Sequence, residues 1–436
     1  MTMLSPEAVG LIGIVALLAT LAAGVPIGIG LALIAMTGLS ILISPEAALI
    51  KAGVVTFGTI SRYELGVLPL FVLMAHLCFA AGASRDFFDV AARFVGHRRG
   101  GLAMASIGGC AGFGAISGSS LATVATITSV ALPEMRKAGY APSFATGALA
   151  AGGTLGSLVP PSGALIVFGI IAEQSIGKLF AASILPGVTQ ALFYLAAIAL
   201  LCRIYPALGP GAARRPWRER IAGLVHIIDV IALIVFVIGG LFVGWFTPTE
   251  AASVGSVAAL LLCWRRGKLS RHAVAGALDA TLRTTGMIYL VVIGALIFAT
   301  FISVTGIAAA LAHLVTSLDA GPTVAIVAMA LVLLVLGSFL DGLALMLLTT
   351  PIFLPITNEL GMSPIWFGIF LVRTMEIGFV HPPLGLNVYV IQGIARDIPL
   401  ATIFRGIVPF LIADFCHLAL LIAFPALALW LPGVLG

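Results

Sequence analysis

Charge is the scarcest property of this chain. Only 9% of its 436 residues are Asp, Glu, Lys or Arg, while 61% are hydrophobic. A water-soluble domain carries about 25% charged residues, so this composition excludes an ordinary soluble globule. Cysteine is also sparse. The five cysteines, Cys78, Cys110, Cys202, Cys263 and Cys416, stand alone in apolar runs. With no CxxC and no Cys/His cluster, neither a disulfide framework nor a transition-metal site is indicated. The sequence has no HExxH, no GxSxG and no P-loop, so it offers no handle for an enzyme. The net charge of +5 is dispersed over loops, which argues against nucleic acid as a partner. The first ten residues contain no Lys or Arg. A secretory signal needs a basic start, so no cleaved leader is expected.

What the chain does have is apolar length. Residues 11–43, 66–82, 101–133, 179–202, 227–246 and 403–431 each approach or exceed a bilayer span, for which about 20 apolar residues suffice. The basic residues are one-sided. Eighteen of the 22 (Arg85 to Arg99, Arg136, Lys137, Arg203 to Arg220, Arg265 to Arg283, Arg396 and Arg405) fall in loops that one membrane face can hold. The positive-inside rule makes that face cytoplasmic and turns both termini outward. Arg373 lies within a span.

Residues 112–161 are echoed at an offset of 222. Pro133, Gly139, Pro142, Gly156, Pro160, Pro161 and Gly163 recur as Pro355, Gly361, Pro364, Gly378, Pro382, Pro383 and Gly385. Leu121 and Ala122 recur as Leu343 and Ala344. Duplicated halves with Gly/Pro-interrupted apolar segments are the mark of a secondary transporter. The run 101–133 is uncharged, flanked by basic loops and too short for two spans. It is expected to be a re-entrant hairpin with its tip at 112–120. Non-helical backbone at that depth is tolerated only inside protein or facing water. Residues 321–357 form its counterpart, with Asp341 the only charge. The next segment in each half is expected to split at Pro160-Pro161 and Pro382-Pro383, because proline lacks an amide hydrogen. Residues 85–99 read as a cytoplasmic loop. Residues 45–62 and 268–283 read as separate helices lying at opposite interfaces. An odd number of spans between the copies inverts the second. The expected class is an all-α polytopic membrane protein with inverted repeats, two re-entrant hairpins and two broken helices.

Tips and breaks converging near the midplane have a chemical use. Helix N-termini favour anions, and unwound carbonyls and hydroxyls suit a hard cation such as sodium. The first copy offers Ser117, Ser119, Ser120, Thr154, Ser157 and Ser162. The second offers Ser338, Asp341, Glu376 and Asn387. The offset pairs Ser119 with Asp341 and Thr154 with Glu376. A charge at bilayer depth marks a partner or a pathway. Arg373 and Glu376 stand three apart on one helix and are candidates for an internal ion pair. Asp414 and Asp229 read as interfacial or structurally paired, His417 as a packing or surface residue, and His381 as a residue able to titrate or to donate to a substrate. Ser119 with His381 is the only conceivable nucleophile and base.

The motifs GAISGSSLATVATI (114–127), LPEMRKAGY (132–140), GGTLGSLVPPS (152–162), GWFTPTEAASVG (244–255), LTTPIFLPI (348–356) and MEIGFVHPPLGLNVYV (375–390) resemble the large membrane subunit of tripartite ATP-independent periplasmic (TRAP) transporters. The resemblance implies an elevator-type fold of the ion-transporter superfamily in the bacterial inner membrane. It implies a periplasmic substrate-binding protein that delivers an organic acid, a small four-helix membrane subunit, and sodium ions as the coupling ions, with no other cofactor. Carried onto these residues, one sodium site uses Ser117, Gly118, Ser119 and Ser120 with Gly156 and Pro160. A second uses Gly337, Asp341 and Gly342 with Gly378, Pro382 and Asn387. Substrate contacts are expected at Ser117, Ser162, Asp341, Arg373 and His381. Residues 1–44 and 225–264 then form a scaffold, 45–64 and 265–283 its interfacial arms, and 204–224 a cytoplasmic linker. Residues 65–203 and 284–436 form the transport domain. Two positions depart from the family pattern: His381 stands where Thr is usual, and Arg373-Thr374-Met375 stands where Asn is usual. A hydroxyl is thereby missing near the second break. The rival within transport is a stand-alone sodium/carboxylate symporter of the same superfamily.

Overall fold

The computed structural model describes residues 5–317 and 321–435, and these are helical with no strand among them. The chain opens with α1 (Pro6–Ala22), α2 (Ile27–Leu42), α3 (Pro45–Ile60), α4 (Val67–Ala80) and α5 (Ala83–Val95). The first hairpin is α6 (Gly101–Ser117) and α7 (Ser120–Lys137). The first broken helix is α8 (Pro142–Gly153), α9 (Leu155–Leu158) and α10 (Gly163–Ile171), bent by 42° at the break. Helix α11 (Ile176–Ile204) returns, and α12 (Trp217–Leu224), α13 (Ile228–Phe242) and α14 (Pro248–Arg265) lead into the second half. There follow α15 (Arg271–Thr305) and α16 (Ile307–Ser317), then the second hairpin α17 (Gly321–Gly337) and α18 (Gly342–Glu359). The second broken helix is α19 (Pro364–Gly378) and α20 (Leu386–Ile394), and α21 (Leu400–Ala423) and α22 (Ala426–Leu435) close the fold.

Local chemistry places many of these boundaries. Ser5, Ser44 and Thr247 cap helices that begin with proline, and Thr247 with Glu250 forms a capping box. Such caps satisfy amides that no helical carbonyl can reach. The echo is structural: α7 and α18 begin and end 222 residues apart, each capped by its tip residue, Ser119 or Asp341. Both Pro160-Pro161 and Pro382-Pro383 are cis. Among the described residues five helices are long and apolar enough to span a membrane, or seven if each bent pair counts as one.

The basic loops meet at one end of the molecule. Gly100 donates its amide to Gly209, Ala212 to Gly96 and Ala141 to Leu208. Arg93 donates to the Glu219 carbonyl, and Arg266 pairs with both Asp86 and Asp229. Arg136 pairs with Asp397 at 2.9 Å, and that hydrogen bond holds the Asp397 carboxyl below its usual range. Several of the loops that carry the basic residues are thus joined to one another.

Four expectations need correction. Residues 85–99 are not a plain loop. Helix α5 turns Phe87, Phe88 and Val90 inward against α6 and leaves Arg85 and Asp89 outside. Residues 268–283 are not a separate helix, because α15 runs unbroken for 35 residues with no proline between Arg271 and Thr305. In the first copy Ser61-Arg62 and a short 3-10 turn at Tyr63–Gly66 do separate α3 from α4. The 204–224 linker carries α12, docked on α5. Finally, the last span breaks at Phe424-Pro425 into α21 and α22.

Candidate functional site

The first hairpin tip closes directly on the first break. Gly118 turns the tip in the left-handed region (φ 60°), and its carbonyl accepts the Gly163 amide at 3.2 Å. A Cβ on Gly118 would lie 2.6 Å from the Pro161 carbonyl oxygen. A Cβ on Gly156 would lie 2.6 Å from the Ser119 carbonyl oxygen and 2.5 Å from Thr123 Oγ1. These glycines therefore let backbone meet backbone, and carbonyl oxygens and hydroxyls crowd into one place. Ser117 Oγ shares a 2.8 Å hydrogen bond with Thr123 Oγ1. Ser119 accepts the Ala122 amide and Ser162 accepts the Leu165 amide, each as a helix cap. Ser117, Gly118 and Ser119 are half-buried, whereas Ser120, Gly156, Pro160 and Ser162 are buried. Ser117, Gly118, Ser119 and Ser120 on the tip thus meet Gly156 and Ser157 at the break, with Pro160 buried in the break itself.

The second tip and break are arranged more loosely. Gly337 touches Gly378, where a Cβ on Gly378 would stand 2.8 Å from the Gly337 carbonyl. Gly342 lies against Met375 and Phe379. Asp341 is half-buried, and its Oδ1 accepts the Leu343 and Ala344 amides at 3.0 and 3.1 Å. Pro382 is exposed, unlike its mate Pro160. Asn387 is buried; its Nδ2 donates to the Ala150 carbonyl of the first copy at 3.2 Å and its Oδ1 has no hydrogen-bond partner. His381 Nδ1 lies 3.4 Å from Ser338 Oγ, not against Ser119. The nucleophile-and-base pairing therefore does not form.

A separate buried polar network joins α11, α19 and α21. Arg373 donates to Asp414 Oδ1 at 2.5 Å, and the two side chains are 1% and 0% exposed. Tyr194 (2.5 Å) and Gln190 (2.8 Å) donate to the same Asp414 oxygen. Tyr194 also shares a 2.8 Å hydrogen bond with Thr154. Arg373 Nε donates to His417 Nδ1 at 3.2 Å, so His417 Nε2 carries the proton and donates to Thr189 at 2.8 Å. Glu376 points elsewhere, accepting from Ser120 Oγ at 2.5 Å.

Set against known proteins, residues 14–427 match the family model described as "Tripartite ATP-independent periplasmic transporter, DctM component". The chain belongs to this family. Among relatives of this TRAP large permease component is the C4-dicarboxylate TRAP transporter large permease of Pseudomonas aeruginosa. It is 35% identical, the match covering 91% of this chain and 92% of that one. The sialic acid TRAP transporter large permease of Vibrio cholerae is 34% identical over 95% and 96%. Among solved structures, the Alcanivorax borkumensis YdaH transporter shares the fold, with a TM-score of 0.60, 16% identity and 90% coverage of both chains. The two relatives are named as large permeases and the solved structure as a transporter.

In this permease two expectations about Arg373 fail. It does not pair with Glu376, because Asp414 reaches it from α21 while Glu376 is drawn to the first hairpin. It does not face a substrate either, since its guanidinium is buried and committed to Asp414 and His417. His417 belongs to the network rather than to general packing. Tyr194 and Gln190 went unread at the sequence level, and His417 was misassigned. Their signal was polar residues one turn apart, Gln190 with Tyr194 and Asp414 with His417, inside otherwise apolar spans. Tyr194→Phe removes a fully buried donor to a carboxylate. It should lower stability by about 1.5–3 kcal/mol, read as a fall in the thermal unfolding midpoint of the detergent-solubilised protein. An unchanged midpoint would show that Arg373 and Gln190 satisfy Asp414 by themselves.

Proposed function

We propose that this large permease component is the carrier of a sodium-coupled secondary importer in the bacterial inner membrane. Its cargo is an organic acid delivered by a periplasmic binding protein, and a small membrane subunit completes the assembly. The observation that supports the reading most directly is the first tip meeting the first break. Neutral oxygens of Ser117, Ser119, Thr123 and the neighbouring backbone gather there at depth, which is the chemistry a sodium ion requires. The second tip, with the carboxylate of Asp341, is the place for a second cation. Ser117, Ser162 and Asp341 remain the proposed contacts to substrate, with His381 at the edge. Arg373 is withdrawn from that list, and Asn387, whose buried Oδ1 is unpartnered, stays with the second cation site.

The elevator division follows the packing. Helix α4 packs mainly on α14 and α15, and α15 on α2 and α4. We therefore place α1–α4 and α13–α15 in the scaffold, in place of the boundaries expected at 65 and 284. Helices α5–α11 and α16–α22 form the moving body, α16 packing mainly on α18 as the repeat mate of α5. Gly82, with φ 87° between α4 and α5, is one joint between the two. Ions drive transport only if they favour the substrate-loaded state over the empty one. Exposed apolar side chains on the scaffold, such as Leu11, Val15, Val235 and Leu261, suit lipid and the small subunit.

The test is uptake into proteoliposomes holding this chain, its small subunit and its binding protein, with C4-dicarboxylate and sialic acid as first probes. Sodium and proton gradients are imposed separately. Uptake is expected to need an inward sodium gradient and both partners. Uptake driven equally well without sodium would refute the coupling. Full uptake by this chain alone would replace the tripartite reading with the stand-alone symporter.

A further inference from the structure

We infer that Glu376 supplies the carboxylate that balances the charge of the cation held between the first hairpin tip and the first break. This rests on the reading that tip and break hold sodium, and it adds a residue from the opposite repeat. Glu376 belongs to α19 in the second copy, yet its side chain reaches into the first. Ser120, on the tip, donates to its Oε2 at 2.5 Å. Ser120 is joined to Ser157, beside the break, through a 3.0 Å hydroxyl contact and a 3.2 Å amide bond. No other carboxylate among the described residues bonds to this tip or this break. The other oxygen of Glu376, Oε1, is fully buried and accepts nothing.

The local charge points the same way. Arg373, one turn earlier on α19, is neutralised by Asp414 from α21. His417 of α21 and Tyr194 of α11 bond to that pair rather than to Glu376. Asp341 turns its carboxylate to the start of its own helix. The first amides of α7 are also taken, Ser120 by Ser157 and Ala122 by Ser119. One buried carboxylate is left without a cationic partner beside a nest of neutral oxygens. A single hard cation supplies both deficits: charge for Glu376 and a ligand for its vacant oxygen. Cation and carboxylate then cross the bilayer as a neutral pair, which avoids the cost of moving a bare charge through lipid.

The test is radioactive sodium binding to the purified protein in nanodiscs, with choline as the replacement cation. The sodium-induced rise in thermal midpoint is a second readout. Glu376→Gln is expected to weaken sodium affinity about tenfold or more and to shrink that rise. Glu376→Asp should keep saturable but weaker binding. Glu359→Gln, an exposed carboxylate at the end of α18, should bind like the parent. If Glu376→Gln binds sodium as the parent does, the inference is wrong while the sodium site stands. Should that variant fail to fold, Glu376→Asp decides, and unaltered affinity there overturns the inference. A parent protein that binds no sodium overturns the cation reading itself.

Discussion

Truncating Asp414 to Ala is expected to cost about 3–5 kcal/mol, enough to remove most folded protein. The reason is the charge left behind, not the pair lost. Arg373 is 1% exposed and spends its guanidinium on Asp414 and His417. Without Asp414 it becomes a cation buried at bilayer depth with no anion, and Tyr194 and Gln190 lose their acceptor. Arg373→Met is expected to be nearly as damaging, because Asp414 then holds an unpaired negative charge. Replacing both, as Arg373→Met with Asp414→Leu, removes both charges and should recover much of the loss, since apolar substitutes for a buried pair are often neutral or better. The measurement is the monodisperse fraction by fluorescence-detected gel filtration, followed by the thermal midpoint of each variant. A double variant no better than the worse single one would show that the network is needed for its shape. A single variant as stable as the parent would show that water or a neighbour reaches the charge.

The contrast between this network and the hairpins shows what a sequence carries in legible form. The tips and breaks are punctuated by Gly and Pro, which act on their own backbone. Pro133 and Pro355, Gly139 and Gly361, and the paired prolines therefore announced the repeat, and α7 and α18 follow at the same offset. Ser119 and Asp341 were readable as partners from the same offset, and each proves to cap the helix that follows it. Continuity is harder to read than interruption. Nothing in residues 271–305 forbids a break, and nothing demands one, so α15 was divided where its polarity changes. The basic residues of 85–99 hid the apolar stripe of α5. The choice of Asp414 over Glu376 as partner for Arg373 was not readable at all. It depends on how α21 lies across α19, and i, i+3 spacing on one helix is only one of the geometries open to an arginine.

Gly156→Ala is expected to abolish sodium-driven uptake while leaving much of the protein folded. Residue 156 sits in α9 immediately before the break, and the tip lies against it without a side chain between. The new methyl would meet the Ser119 carbonyl oxygen at 2.6 Å and Thr123 Oγ1 at 2.5 Å. Neither can swing clear cheaply. The first is backbone, and the second is held by Ser117. Overpacking of this kind typically costs about 1–3 kcal/mol. Here it falls on the tip–break contact, and the tip can relieve it by lifting away. The fold then survives at the expense of the site, because Ser119, Thr123 and Ser157 no longer surround one point. Sodium affinity should fall roughly five- to 150-fold for the same 1–3 kcal/mol. Gly163→Ala is the matched control. Its Cβ meets nothing closer than the Gly118 carbonyl at 3.6 Å, an ordinary contact, and it should bind sodium like the parent. Equal loss in both variants would mean that any change near the break disables the carrier. Normal uptake by Gly156→Ala would mean that the closed tip–break contact is not the state in which ions are held.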